Sequence, residues 1–284
     1  MQAIFNTIFV IVRIFSNSFS NVFQKKLACD GENPINVNFI NYLLLSIFSL
    51  PLLILCKNTT LGHEFWQYAI LGGIMGAICN CFMALALKRG ELSVLGPINS
   101  YKAIVGMIFG VFILHELPNI YGLCGIVLII VGSYFILESP KALIRKDIQY
   151  RIYALIFSAI EAVFIKKVII LSSITVSFVV SSFLGALFSF FLVKIFSNQK
   201  ISIKNSKHFS MYLITALCFG VMTFATAYVF KYMNVGYALS LFQLSIILNV
   251  ILGYKLFREK NILKKLLGSL IIIFGSVIII LLGH

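Results

Sequence analysis

Charge is scarce in this chain, and acid is scarcer still. Only 11% of the 284 residues are charged, and nine Asp and Glu stand against 23 Lys and Arg. Soluble domains carry about 25% charged residues, so a water-soluble fold of this length has too little to cover its surface. Metal-ligand spacing is also missing. The six cysteines (Cys29, Cys56, Cys79, Cys81, Cys124 and Cys218) are scattered and read as buried small apolar residues. Cys79 and Cys81 sit on one apolar run at a spacing that points them apart on a helix. His63, His115, His208 and His284 make no cluster. With no nucleotide-binding loop and no catalytic set, the sequence implies no cofactor, no metal and no enzyme.

What the chain has instead is apolar length. It is 60% hydrophobic with a mean hydropathy of +1.01. Ten runs approach the ~20 residues that cross a bilayer: Ala3–Phe23, Ile35–Cys56, Trp66–Leu87, Leu92–Leu114, Ile120–Leu137, Tyr150–Ile170, Thr175–Phe196, Phe209–Phe230, Tyr237–Phe257 and Ile262–Leu282. They are continuously apolar and do not alternate, which favours helices over a barrel. The expected fold is an all-α polytopic membrane protein of ten transmembrane helices, placed in the plasma membrane. The first run lacks a basic leader and contains Arg13, so it reads as a retained helix and not a cleaved signal.

A formal net charge of +14 would suggest nucleic acid in a soluble protein. Here the cations sit at the ends of apolar runs. Numbered from the N-terminus, the odd connectors hold 17 Lys and Arg, Arg151 among them, and the even connectors hold four. The positive-inside rule then puts odd connectors in the cytoplasm and both termini outside.

The chain also repeats itself. SNVFQKKL (20–27) returns as EAVFIKKV (161–168). At a constant offset of 143, Lys88 pairs with Lys231, Gly110 with Gly253, Glu116 with Glu259, Gly125 with Gly268 and Gly132 with Gly275. Two units of five spans are expected, 1–139 and 140–284. Five is odd, so the second unit enters from the opposite side, as in inverted-repeat transporters.

The stretch ALKRGELSVLGPINSYKAIVGMIFGVFILHELPNIYGLCGIVLIIVGSYFIL and its second copy, from Val229 to Leu281, resemble the end of an EamA repeat. The resemblance covers almost the whole chain. It implies the drug/metabolite transporter superfamily, with ten helices, alternating access and export of amino acids and other small metabolites. It also implies cytoplasmic termini, against the charge tally, and the tally is preferred here because it comes from this sequence.

Ionisable residues inside a bilayer face a cavity or the bundle interior. Arg13, Lys102 and Glu161 fall inside spans. Asn6, Arg13, Asn17, Ser20 or Asn21, and Gln24 form one stripe of a 3.6-residue helix. Asn99 and Lys102 share a face of the fourth span, where Pro97 should loosen the first turn. Asn80 follows Gly72 and Gly76 on the third span and matches Thr223. Gln243 and Asn249 on the ninth span complete the candidate binding set. Arg13 or Lys102 would take a carboxylate, and Glu161 an ammonium group or a coupling proton. The expected partners are a small-molecule solute, a proton or other coupling ion, and the lipid bilayer, and the sequence is compatible with a homodimer. A lipophilic-cation exporter using Glu161, a non-transporting membrane protein and a lipid-modifying enzyme remain alternatives.

Orientation is directly testable. On a background without other cysteines, an impermeant thiol reagent should label Cys29 only after cells are permeabilised. Labelling in intact cells would reverse the assignment.

Overall fold

The computed structural model describes residues 2–56, 61–99, 101–115, 119–136, 145–197, 206–258 and 262–282. Among these residues every element is helical. The first half contains α1 (Gln2–Cys29), α2 (Pro34–Ser49) extended by a 3-10 segment (Leu50–Cys56), α3 (His63–Arg89), α4 (Leu92–Ile98), α5 (Tyr101–Leu114) and α6 (Ile120–Ile136). The second contains α7 (Lys146–Leu171), α8 (Ile174–Phe196), α9 (Ser206–Tyr232), α10 (Val235–Leu241), a 3-10 turn (Phe242–Leu244), α11 (Ser245–Phe257) and α12 (Ile262–Leu282). Among the described residues, six stretches are long and apolar enough to cross a membrane by length and composition: Pro34–Ile54, His63–Arg89, Leu92–Leu114, Ile174–Phe196, His208–Tyr232 and Val235–Phe257. Ile120–Gly132 is a shorter apolar helix.

The duplication appears in the element boundaries. Shifted by 143 residues (206 − 63), α3 coincides with α9, and α4 with α10. Helices α2 and α8 start alike, each with a polar cap that satisfies a free backbone donor. Asn33 accepts from the Ile35 N–H at 3.0 Å, and Ser173 from the Val176 N–H at 3.2 Å. The break between α4 and α5 also recurs, between α10 and α11. There Ser240 occupies the position equivalent to Pro97, so the break belongs to the repeated unit and not to the proline alone.

Helix pairing follows the same exchange. α1 packs on α9 and α3 on α7; α4 packs on α11 and α5 on α10; α2 meets α8, and α6 meets α12. Swapping the two copies maps each pair onto itself or onto its mate. In the last pair, Gly132 lies against Gly268 and Ile272, while Gly275 lies against Gly125 and Ile129. Late residues of one helix thus meet early residues of the other, and the mates run antiparallel. A Cβ on Gly275 would stand 2.6 Å from the Gly125 carbonyl oxygen, and one on Gly132 would stand 2.8 Å from that of Gly268. The repeated glycines therefore let two backbones touch, as small residues do in membrane helix pairs.

Polar ties join the halves beside Lys-rich connectors. His208 Nδ1 lies 2.8 Å from Glu32 Oε1. Lys265 donates to Glu91 Oε2 and Ser93 Oγ, both at 2.7 Å. Asn33 Nδ2 donates to Ser197 Oγ at 3.4 Å.

Two expectations are corrected. Cys79 and Cys81 are buried, but Cys29 and Cys124 are exposed and Cys218 is intermediate; Cys29 ends α1 beside exposed Asp30, and the outward apolar face of α6 takes the small thiol of Cys124 as readily as a core does. Arg151 is no connector residue, because α7 already begins at Lys146 and carries it into the bundle, where it is buried. The Glu116–Glu259 pair and the boundary at 139–140 lie outside the described residues.

Replacing Gly275 with Ala should lower the thermal midpoint of the purified protein, by about 1–3 kcal/mol of overpacking. Gly62→Ala is the control, since a Cβ there meets nothing within 4 Å. Equal midpoints would mean that α6 and α12 do not pack this closely.

Candidate functional site

Helix α1 sorts its residues by face. Ile4, Ile8, Ile11, Phe15 and Phe19 point outward and are exposed, whereas Arg13, Ser20, Asn21 and Gln24 are buried. The polar face lines a cavity of about 130 Å³ with walls from both halves. α1 contributes Arg13, Asn17, Ser20, Asn21 and Gln24; α3 contributes Cys79, Asn80 and Met83; Asn99 and Lys102 flank the start of α5. From the second half come Arg151, Ser158 and Glu161 of α7, Thr223 and Thr226 of α9, Leu239 of α10, and Phe242.

Eight of the ten candidate residues therefore share one cavity: Arg13, Asn17, Asn21, Asn80, Asn99, Lys102, Glu161 and Thr223. Gln243 and Asn249 are not in its lining. Gln243 is buried in the 3-10 turn and donates to the Leu239 carbonyl at 2.8 Å. Asn249 packs against Gly96, with its Oδ1 buried and unpartnered. The turn rotates both of them away from the cavity. Asn6 also lies outside the lining, and its Oδ1 is likewise unpartnered.

The ionic groups are held in different ways. Arg13 is 7% exposed, its Nε and Nη1 have no hydrogen-bond partner, and its guanidinium carbon lies 4.0 Å from the Phe242 ring centroid. A cation over a ring face is stabilised, yet its N–H donors still need acceptors. Glu161 accepts from the Cys79 thiol at 3.4 Å and faces Gly76, where a Cβ would come 2.5 Å from Oε1. Glycine at 76 thus makes room for the carboxylate. Among the described residues, neither Lys102 nor Glu161 is within ion-pair distance of an opposite charge. A smaller adjoining cavity, lined by Tyr42, Gly72, Gly76, Ser177 and Ser182, shares Glu161 and Thr223 with the main one.

The neutral polar groups are mostly satisfied within the bundle. Asn80 Nδ2 donates to Tyr42 Oη at 2.8 Å and to the Gly76 carbonyl at 2.9 Å. Thr223 and Thr226 donate back to carbonyls of their own helix. They present little free donor capacity and act as spacers.

Sequence reasoning missed Arg151. Its Nε donates to the Leu95 carbonyl at 2.9 Å and its Nη1 contacts Met83 Sδ, and it forms part of the cavity wall. The signal was available: Arg151, Ser158 and Glu161 recur at seven and three residues, one face of a helix. Among the described residues no group of three His, Cys, Asp or Glu is placed to hold a metal.

The EamA-like transporter family is matched twice, over residues 5–138 and 148–281. No curated protein matches the sequence. A solved structure described only as "Crystal structure of protein" is similar over 98% of each chain, with a TM-score of 0.72 at 13% identity. That likeness concerns the fold.

Changing Tyr42 to Phe removes an acceptor of Asn80. It should cost about 0.6–1.7 kcal/mol, the range for hydrogen bonds between membrane helices. Thermal denaturation in detergent checks this; an unchanged midpoint would mean that the bond adds no stability.

Proposed function

Since the chain belongs to the EamA-like transporter family and is a multi-pass membrane protein, we propose that it is a secondary carrier exporting small polar or amphipathic metabolites, amino acids foremost, across the plasma membrane. In this reading ten passages form two five-helix units of opposite orientation, and alternating access arises as the units exchange conformations. The antiparallel packing of α6 on α12 and the mate-for-mate pairing of the remaining helices support it.

One observation carries the reading: a cavity between the halves is lined by cations and a carboxylate that hydrocarbon would not tolerate. Arg13 and Lys102 attract a carboxylate by charge-assisted hydrogen bonds. Glu161 receives an ammonium group or carries a coupling proton. The lipophilic-cation reading needs Glu161 to dominate, and Arg13, Lys102 and Arg151 on the same walls oppose it.

Purified protein in vesicles loaded with amino acids tests the proposal. Wild-type protein should move at least one of them, and Lys102→Ala should slow that movement about ten-fold or more at equal protein content. Unchanged kinetics would remove Lys102 from the site, and movement of no solute at all would overturn the carrier reading. Drug resistance in cells that is lost on Glu161→Gln would favour the cation exporter.

A further inference from the structure

We infer that the cavity is built for a solute bearing two anionic groups and one ammonium, the class of dicarboxylic amino acids, with Arg151 receiving the second acid group. The inference rests on the carrier reading and adds the substrate class.

Charge balance is the first argument. Arg13, Lys102 and Arg151 line the cavity with a single carboxylate, Glu161. A simple zwitterion leaves the cationic excess unchanged, and a lipophilic cation enlarges it. A diacid without an ammonium group leaves Glu161 facing like charge. Two acid groups and one ammonium answer Glu161 and two of the three cations, and lower the cationic excess by one.

Donor geometry is the second. Buried Arg13 has unpartnered Nε and Nη1, donors that a carboxylate's oxygens can satisfy. Arg151 is anchored through Nε by the Leu95 carbonyl and through Nη1 by Met83. Among the described residues no acceptor is paired with its Nη2. Two of its three nitrogens are therefore engaged by the protein, and Nη2 is left for the cavity.

Distance is the third. Arg151 and Glu161 are ten residues apart on one helix (161 − 151), a rise of about 15 Å. In a simple amino acid the ammonium and the carboxylate sit on one carbon. A second acid group several bonds further along spans more of this separation.

The repeat supplies an independent check. At the 141-residue offset Arg151 corresponds to Val10, Arg13 to Ala154 and Glu161 to Ser20, and at 143 Lys102 corresponds to Ser245. None of the four ions is demanded by the repeated scaffold.

Counterflow in vesicles with radiolabelled L-glutamate, L-glutamine, L-lysine and glutarate tests this. L-glutamate should exceed each of the others about ten-fold, because a buried donor left without its acceptor is penalised. Arg151→Gln should bring the glutamate-to-glutamine ratio to about one, and Arg151→Lys should restore part of it. Ser158→Asp, which adds a carboxylate to the same wall, should also lower that ratio. Movement of glutamine as fast as glutamate by the wild-type protein would overturn the inference and leave the carrier reading standing. So would a ratio unchanged in folded Arg151→Gln. If the variant does not fold, the wild-type ranking alone decides. Movement of none of the four probes overturns the inference, and the carrier reading falls with it only if no other solute moves either.

Discussion

Ionic side chains cannot face hydrocarbon, and the arrangement of this protein derives from that constraint. An Arg or Lys at the centre of a membrane helix costs about 2.5–3.5 kcal/mol on insertion scales. Arg13, Lys102, Arg151 and Glu161 all turn inward to one cavity, while the outward face of α1 carries Ile4, Phe5, Ile8, Ile11, Phe15 and Phe19. A polar interior of this kind needs a closed wall, and neither half provides one alone. Each half contributes helices that pack chiefly on the other: α1 on α9, α3 on α7, α5 on α10. The duplication is therefore the means by which a short chain surrounds its own polar stripe.

Scaffold and cavity have been treated differently by that duplication. Positions that set helix geometry recur in both copies: the caps Asn33 and Ser173, the broken helix, and the glycines 132 and 275 at the α6–α12 crossing. A bulkier residue at either glycine would meet backbone, which cannot move aside. The cavity ions recur nowhere. Packing needs act on both halves equally, because each half presents the same surface to the other. The cavity lining is under no such repeat constraint, and its residues are free to differ between the copies.

The sequence made these two layers legible to different degrees. Apolar runs gave the helices, since span length and continuous hydrophobicity are local properties. The α1 stripe was equally plain, because five polar residues on one face have no lipid-compatible orientation. Arg151 was hidden by its neighbours: Arg145 and Lys146 precede it and Tyr150 adjoins it, so it read as part of a charged connector. Helix α7 begins earlier than its apolar run and carries Arg151 one turn further in. Gln243 and Asn249 failed for a different reason. Their spacing assumes an unbroken helix, and the 3-10 turn at Phe242–Leu244 changes the rotation of the chain through and beyond it. Faces can be assigned from periodicity only where the period holds.

The same contrast between copies extends to the two ends of the bundle. At the Lys-rich end, Glu32 meets His208 and Glu91 meets Lys265 across the halves. Repeat equivalence would place the matching ties at the other end. There His208 corresponds to Phe65, Lys265 to Gly122 and Glu91 to Asn234, and none of these can form an ion pair. Lys167 and Glu64 do approach to 3.7 Å across the halves near that end, but Glu64 is more than half exposed, and exposed pairs contribute little. Lys265 is 2% exposed and holds two oxygens, so separating it strands a desolvated cation. Parting the halves is therefore costlier at the Lys-rich end than at the other. The two ends of the bundle thus differ in how firmly the halves are tied, and the difference is made by residues outside the cavity.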